Sequence, residues 1–344
     1  MLTLVILGIT FAIAFDFMNG VNDAANSVAT VVATRVLKPL WAVVWAAFFN
    51  FVAVFVFGVK VAATIGKGIV EPHGVTVVVI LAALLGATIW SIVTTHFGLP
   101  ISVSHALIGG LLGAGLVYAG PSVVIWKSIV VIAIFMAVAP LLGMVLGAAF
   151  MWIVTWMVWQ VDRRRVSSWF RRLQLVSAAL YSLGHGTGDA QKTMGVIAVL
   201  LATAGYTAAG TTWLTRTSFD RSGFVPDWAV LLSGAVIALG TMIGGWRVVK
   251  TLGVRMSHLL PMDGFCAESA AAASILGSTL FGIPVSTTHT ITGAIVGVGA
   301  IKRLTAVRWG VTTRIVWAWI FTLPASAAVA ALIYLLLRVL IPEG

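Results

Sequence analysis

Charge is what this sequence has least of. Only 9% of its 344 residues are Asp, Glu, Lys or Arg, against about 25% in an ordinary soluble domain. Polar surface on that scale cannot wrap a soluble globule of this length, so lipid must be the main solvent. Cysteine is nearly absent too. The single Cys266 excludes intramolecular disulfides and argues against a thiolate zinc site. No nucleophile-elbow pattern, Walker loop or His-Glu-x-x-His run occurs, so the sequence gives no sign of the enzyme classes those motifs mark. No cofactor is expected. The net charge of +11 comes without a basic stripe interleaved with aromatics, so nucleic acid is not the expected partner. The lipid bilayer is.

What the chain has in abundance is apolar sequence, 60% by composition. Ten apolar segments can be marked, at about 3–34, 40–60, 75–96, 101–119, 122–158, 173–205, 228–247, 266–282, 285–301 and 312–340. A bilayer crossing takes about 20 residues, so several are long enough to tilt or break. The first, apolar from Met1 to Ala14 with no basic leader, reads as a retained span and not a signal peptide. The basic residues orient the set. With the N-terminus outside, Arg35 and Lys38, the run Arg163 to Arg172, Arg247, Lys250, Arg255, Lys302, Arg303, Arg308 and Arg314 all fall inside, 14 of the 21. The positive-inside rule favours that arrangement. The expectation is a multi-pass plasma-membrane protein with both termini extracytoplasmic.

The chain also repeats itself. Asn19-Gly20-Val21-Asn22-Asp23-Ala24-Ala25-Asn26 recurs in part as His185-Gly186-Thr187-Gly188-Asp189-Ala190-Gln191-Lys192, at an offset of 166. Phe97-Gly98-Leu99-Pro100-Ile101-Ser102-Val103-Ser104-His105 recurs as Phe281-Gly282-Ile283-Pro284-Val285-Ser286-Thr287-Thr288-His289, at an offset of 184. Thr64-Ile65-Gly66 and Thr251-Leu252-Gly253 form a weaker pair at 187. One insertion of roughly 20 residues near 206–227, where Thr211 to Asp227 is polar, reconciles the offsets. Five segments per half invert the second copy relative to the first. The expected organisation is an all-α membrane protein of about ten or more spans. It comprises a first repeat over 1–159, a basic cytoplasmic linker over 160–172 and a second, inverted repeat over 173–344. Inverted repeats with broken or re-entrant helices are a recurrent secondary-transporter architecture, with the site near the midplane where the halves meet.

Asp23 and Asp189 carry the sharpest signal. A carboxylate at membrane depth costs at least about 2.5–3.5 kcal/mol and is tolerated facing a partner or a wet cavity. Gly20, Gly186 and Gly188 suggest that the helix breaks beside them. A break frees N–H groups for an anion at one end and carbonyls for a cation at the other. The Gly-x-Pro motifs suggest helix starts, where Ser102, Ser104, Ser286, Thr287 and Thr288 either cap free N–H groups or face a ligand. His105 and His289 either brace the fold or take part in coupling or gating. Asp263 is expected at an interface. Glu268, ahead of the apolar run Ser269 to Leu280, is expected to favour a helix N-terminus, with coupling as its second reading.

Together the paired motifs resemble those of the inorganic phosphate transporter family, PiT, and the resemblance spans essentially the whole chain. It implies cation-coupled phosphate symport. It implies a phosphate site formed by Asn22, Asp23, Asn26, Thr187, Asp189, Gln191, Ser102, Ser104, Ser286, Thr287 and Thr288. The second copy departs from the first: Gly188 stands for Asn22, Gln191 for Ala25 and Lys192 for Asn26. The Gln-Lys form is similar to the bacterial, proton-coupled branch, which implies that phosphate moves as a neutral complex with a divalent metal. A tethered ammonium beside Asp189 can stand in for a bound sodium ion. Coupling is therefore expected to run through Asp23, Asp189 and Lys192, with H⁺ as the coupling cation. Na⁺ is the alternative, and a transporter or channel for another oxyanion such as sulfate is the more distant one. A homodimer is kept as a candidate assembly.

Overall fold

The computed structural model describes residues 2–56, 70–71, 74–206, 225–280 and 285–341, and these form helices, turns and two isolated bridges. The helices are α1 (Leu2–Ala33), α2 (Pro39–Val56), α3 (Val77–Phe97), α4 (Val103–Ala119), α5 (Trp126–Val158) and α6 (Arg163–Thr203). They are followed by α7 (Asp227–Ile243), α8 (Trp246–Lys250), α9 (Pro261–Leu280), α10 (Thr287–Lys302) and α11 (Trp309–Leu340). Thr64 to Gly66, Phe281 to Pro284 and all but the edges of the 206–227 insertion lie outside the described residues.

Five of these helices, α1, α2, α3, α5 and α11, are each long and apolar enough to cross a bilayer. A sixth crossing arises if α7 and the stretch Trp246–Arg255, bent by 61° from it, count as one span. The ten marked segments correspond to helices, but α4 and α10 are short, at 17 and 16 residues. The region expected as a basic linker is helical. Asp162 caps it, accepting from the backbone N–H groups of Arg164 and Arg165 at 2.9 and 3.4 Å, and Arg163 to Arg172 form the first turns of α6.

The helices pack in a regular pattern. α1 lies against α7, and α6 against α2; α3 and α9 flank α1 and α6 respectively. α4 runs along α11, and α10 along α5. α5 and α11 form the outside, with only 11% and 22% of their most apolar windows buried. Their exposed faces carry Trp152, Trp156, Trp317 and Leu336, as a lipid-facing surface should. Each contains a proline, Pro140 or Pro324. Proline cannot donate to the carbonyl four residues back, and for Pro140 that carbonyl belongs to Met136. His289 Nδ1 approaches it at 3.3 Å.

The expected breaks at Gly20, Gly186 and Gly188 are absent: α1 and α6 run unbroken through them. Two of these glycines serve close approach instead. A Cβ on Gly20 would come 3.0 Å from Cα of Gly240 in α7, and one on Gly186 would come 2.6 Å from Cα of Asn50 in α2. Side chains there would hold the helices apart. Among the described residues a sharp bend occurs between α7 and α8, at Gly244, whose φ of +72° suits glycine. The neighbouring Gly245 seats that bend against α1, since a Cβ on it would meet Val21 O at 2.6 Å.

Candidate functional site

The two acidic motifs meet inside the bundle. α1 brings Asn22, Asp23 and Asn26, α6 brings His185, Asp189 and Lys192, and all six are buried. The Lys192 ammonium pairs with Asp189 Oδ1 three residues earlier on α6. His185 Nδ1 lies 3.2 Å from Asp189 Oδ2 on the preceding turn, though neither atom finds hydrogen-bond geometry. We read the pair as proximity, not as a made bond, because distance alone does not satisfy a buried polar atom. The carboxylates of Asp23 and Asp189 and the His185 imidazole offer atoms within 4.8 Å of one another. That spacing would admit a metal ion, and the Lys192 ammonium already shares Asp189.

α10 joins the cluster through its first turn. Thr288 Oγ1 accepts from Asn26 Nδ2 at 2.9 Å and donates to Asp23 Oδ1 at 3.4 Å. Ser286 caps this helix, accepting from the His289 N–H at 3.3 Å, and Ser102 caps α4 by accepting from the His105 N–H at the same distance. Both serines are thus engaged as caps. The rings of His105 and His289 lie 5.0 Å apart, so the N-terminal first turns of α4 and α10 converge beside the acids. His289 also stacks on Trp319 at 3.9 Å, and Trp319 donates to Pro100 O at 2.9 Å. These contacts tie α10, α11 and the Gly-x-Pro turn together, which is a bracing role. Thr287 and Gln191 are buried nearby, and Tyr181 donates to Thr287 O at 3.3 Å. Ser104 is half-buried on the first turn of α4. Thr187 turns its hydroxyl onto its own helix, donating to Leu183 O at 2.7 Å.

Glu268 requires a correction. α9 begins at Pro261, so Glu268 sits two turns inside the helix, not at its start, and is fully buried. Three side chains from two other helices donate to it: Thr30 at 2.5 Å, Ser177 at 2.5 Å and Gln174 at 3.1 Å. It is a separate, well-satisfied carboxylate. Asp263 is the acid in the first turn of α9, where it accepts from the Leu260 N–H at 2.7 Å and pairs with Lys302 at 2.8 Å.

Several participants did not stand out in the sequence. Thr95, on the last turn of α3, accepts from Asn22 Nδ2 at 2.6 Å. Asn50 on α2 donates to Thr241 on α7 at 3.0 Å. Asp16, fully buried on α1, accepts from Thr193 on α6 at 2.9 Å. A polar residue inside an apolar segment was the available clue for Asn50 and Asp16. Thr95 is too common a residue type to have stood out.

Chemically, two converging helix N-termini offer free N–H groups and positive dipole ends to an anion. The carboxylates beside them would repel that anion unless cations accompany it. Among the described residues, Asn22, Asn26 and Ser27 each keep a buried oxygen without a protein donor, further polar capacity around the same spot.

Comparison with known proteins agrees with this chemistry. Residues 19–330 match the family described as the phosphate transporter family. A protein of Rhizobium meliloti (strain 1021), named a probable low-affinity inorganic phosphate transporter, is 52% identical over 95% of this chain and 94% of its own length. A Bacillus subtilis (strain 168) protein of the same name is 40% identical over 99% of both chains. Among solved structures, the chain is similar to one described as the sodium-dependent phosphate transporter. That similarity has a TM-score of 0.84 and 27% identity, over 98% of this chain and all of that one.

Proposed function

The chain belongs to the phosphate transporter family, a family of transporters and not of enzymes, and from that premise we propose that it is a proton-coupled symporter of inorganic phosphate in the plasma membrane. The observation that carries the coupling is the Lys192–Asp189 ion pair. It puts a fixed positive charge where the other copy has Asn26, a neutral donor to Thr288. Asp23, Asp189 and Lys192 leave one uncompensated negative charge buried before any substrate arrives. Phosphate adds at least one more. Bringing it in alone would be costly, so cation and phosphate are expected to move together. A tethered ammonium takes one cation position permanently, which leaves protons as the mobile compensation.

Phosphate would sit between the first turns of α4 and α10 and the acids of α1 and α6. Asn22, Asn26, Thr288, Ser104, Thr287 and Gln191 would supply polar contacts. Ser102 and Ser286 would act through the N–H groups their helices present. Cargo in the form of a neutral metal–phosphate complex is consistent with a site already crowded by carboxylates. The packing supports the inverted repeat as a proposal. Exchanging α1, α2, α3, α4 and α5 for α6, α7, α9, α10 and α11 turns each major helix contact into another one. On that reading the halves rock about the site, the membrane is crossed about ten times, and both termini lie outside.

The rival reading is sodium coupling, favoured by the sodium-dependent transporter the chain resembles in structure. Radiolabelled phosphate uptake into proteoliposomes separates the two. A proton gradient alone should drive accumulation, with magnesium raising the rate. Accumulation driven only by sodium would overturn proton coupling while leaving the family assignment intact. Arsenate, close to phosphate in shape and charge, should compete.

A further inference from the structure

Asp16 has no place in the account so far, yet it is an acid with no protein surface to escape to. It is fully buried on α1, about two turns before Asp23. Oδ1 accepts a single hydrogen bond, from Thr193 at 2.9 Å. Oδ2 has no donor among the described residues, and neither does Oδ1 of Asn19, which is itself buried. Residues three apart stand on one face of a helix, so these are two neighbouring buried acceptors without a proton between them.

Among the described residues, the surroundings offer no fixed cation to repair this. Lys192 is the only basic side chain other than histidine among the described buried residues, and it is committed to Asp189. Every element packed on α1 gives the same answer. α2 has no ionisable residue, and α7 has only Asp227 in its first turn. α3 has only His96 in its last turn. α4 and α10 contribute His105 and His289, with Lys302 at the far end of α10 paired to Asp263. α9 contributes Asp263, Cys266 and Glu268, and α6 contributes Tyr181, His185, Asp189 and Lys192 besides Arg163, Arg164, Arg165, Arg171 and Arg172 in its exposed first turns. Arg247, Lys250 and Arg255 lie on α8 and the turn after it. By contrast Glu268 accepts from three donors, so an anion there is far better supported.

The fold does not need an acid at this place. At the offset of 166 that relates the two acidic motifs, Asp16 corresponds to Ser182, and Thr193 to Ser27. One contact between the halves thus pairs a carboxylate with a hydroxyl, Asp16 with Thr193, where the matching positions carry two hydroxyls, Ser182 and Ser27, both buried and, among the described residues, both without a partner.

We propose that Asp16 is the residue that carries the coupling proton. This rests on the proton-coupled reading above and names the group that makes it work. In the outward-facing state a proton from outside binds Asp16 Oδ2, and the new O–H donates to Asn19 Oδ1. Both orphan acceptors are then satisfied, and one negative charge is removed from the bundle that must receive phosphate. In the inward-facing state the O–H bond breaks and the proton leaves to the cytoplasm with the phosphate. One proton enters, one leaves, and no electrons move. A proton suits this place better than a metal cation, since Asp16, Asn19 and Thr193 supply few oxygens for a coordination shell.

The test uses the full protein in proteoliposomes, with inorganic phosphate as substrate and a trapped pH dye reporting internal acidification. Asp16→Asn keeps the shape and removes the titrating group. Exchange of labelled for unlabelled phosphate, which needs no net proton movement, should continue in Asp16→Asn. Accumulation under a proton gradient and phosphate-linked acidification should fall about tenfold or more. Asp16→Glu should restore part of both, which a purely structural role would not predict if Asp16→Asn is folded and exchanging. Thr193→Val, which removes the one donor to the ionised form, should move the pH dependence of exchange towards higher pH. Unchanged acidification per phosphate in Asp16→Asn would overturn the proposal and leave proton coupling standing. So would loss of exchange and accumulation together in both Asp16→Asn and Asp16→Glu. A wild-type protein that accumulates phosphate only with sodium would instead remove the reading on which the proposal rests.

Discussion

The turn of α1 that holds Asn22, Asp23 and Asn26 and the turn of α6 that holds Gly188, Asp189 and Lys192 occupy matching places and solve different problems. In that turn of α1 every polar residue is neutral except Asp23, and the bonds reach outward: Asn22 to Thr95 on α3, Asn26 to Thr288 on α10. In α6 the contacts turn inward, with Lys192 paired to Asp189 and His185 lying close to it on the same helix. One copy is therefore wired to the helices that carry the Gly-x-Pro turns, and the other is balanced internally. On the inverted-repeat reading proposed above, asymmetry of charge would let one copy act as a fixed counter-charge while the other responds to substrate. Substitutions that make the copies more alike test this directly.

The largest effect is expected from Lys192→Asn. It leaves Asp189 buried without its cation, and breaking one partner of a buried pair costs about 3–5 kcal/mol. Proton-driven phosphate uptake in proteoliposomes should be lost. Adding Gly188→Asn gives the second copy the three residue types of the first, and a side chain has room there because a Cβ on Gly188 meets nothing within 4 Å. The double variant should regain uptake in a sodium gradient. Proton-driven uptake that survives Lys192→Asn unchanged would sink the charge argument.

Next in size is the contrast between neighbouring glycines. Gly186→Ala would press its methyl group onto the backbone of Asn50 in α2 and should cost about 1–3 kcal/mol, as overpacking does. Gly188→Ala should be nearly neutral. Thermal unfolding in detergent reads both. Equal destabilisation would mean that the α2–α6 approach is not what fixes Gly186.

That contrast also marks how far the chain could be read in advance. Asp23, Asp189 and Lys192 were legible because a charge inside an apolar segment has few innocent explanations, and the repeated spacing pointed to their meeting. The glycines were legible as special positions but not as to why. Glycine permits a bend and permits contact between backbones, and only the packing of α7 on Gly20 and α2 on Gly186 separates the two. Glu268 was misplaced because the start of α9 lies at Pro261, ahead of the apolar run that drew attention. Its donors Thr30, Ser177 and Gln174 lie far away in sequence on α1 and α6, and no local pattern connects them. Thr95 was invisible for the same reason, a common hydroxyl whose role depends on a partner 73 residues away.

Thr288→Val tests the outward wiring of the first copy at intermediate size. Val keeps the shape but takes from Asn26 its acceptor and from Asp23 Oδ1 the Thr288 donor, a loss of about 1–3 kcal/mol for each buried group stranded. The expected result is a phosphate KM raised about tenfold, with a smaller change in stability if substrate contact dominates. The residue matching Thr288 at the offset of 184 is Ser104, which is half-buried. Ser104→Ala should therefore change KM less than Thr288→Val, and the reverse order would place the substrate nearer α4 than α10.

The smallest effects belong to Ser102→Ala and Ser286→Ala, where the two copies are most alike. Each serine caps its helix through one 3.3 Å bond to the N–H of a histidine three residues on. Losing a cap costs about 1 kcal/mol, and the two losses should be equal within error by thermal unfolding. Transport offers the sharper discrimination. If the hydroxyls only cap, phosphate KM should change little, and by the same factor in both variants. A rise in KM confined to one variant would show that its hydroxyl leaves the cap to meet phosphate during the cycle, and that the asymmetry seen between α1 and α6 extends to α4 and α10 as well.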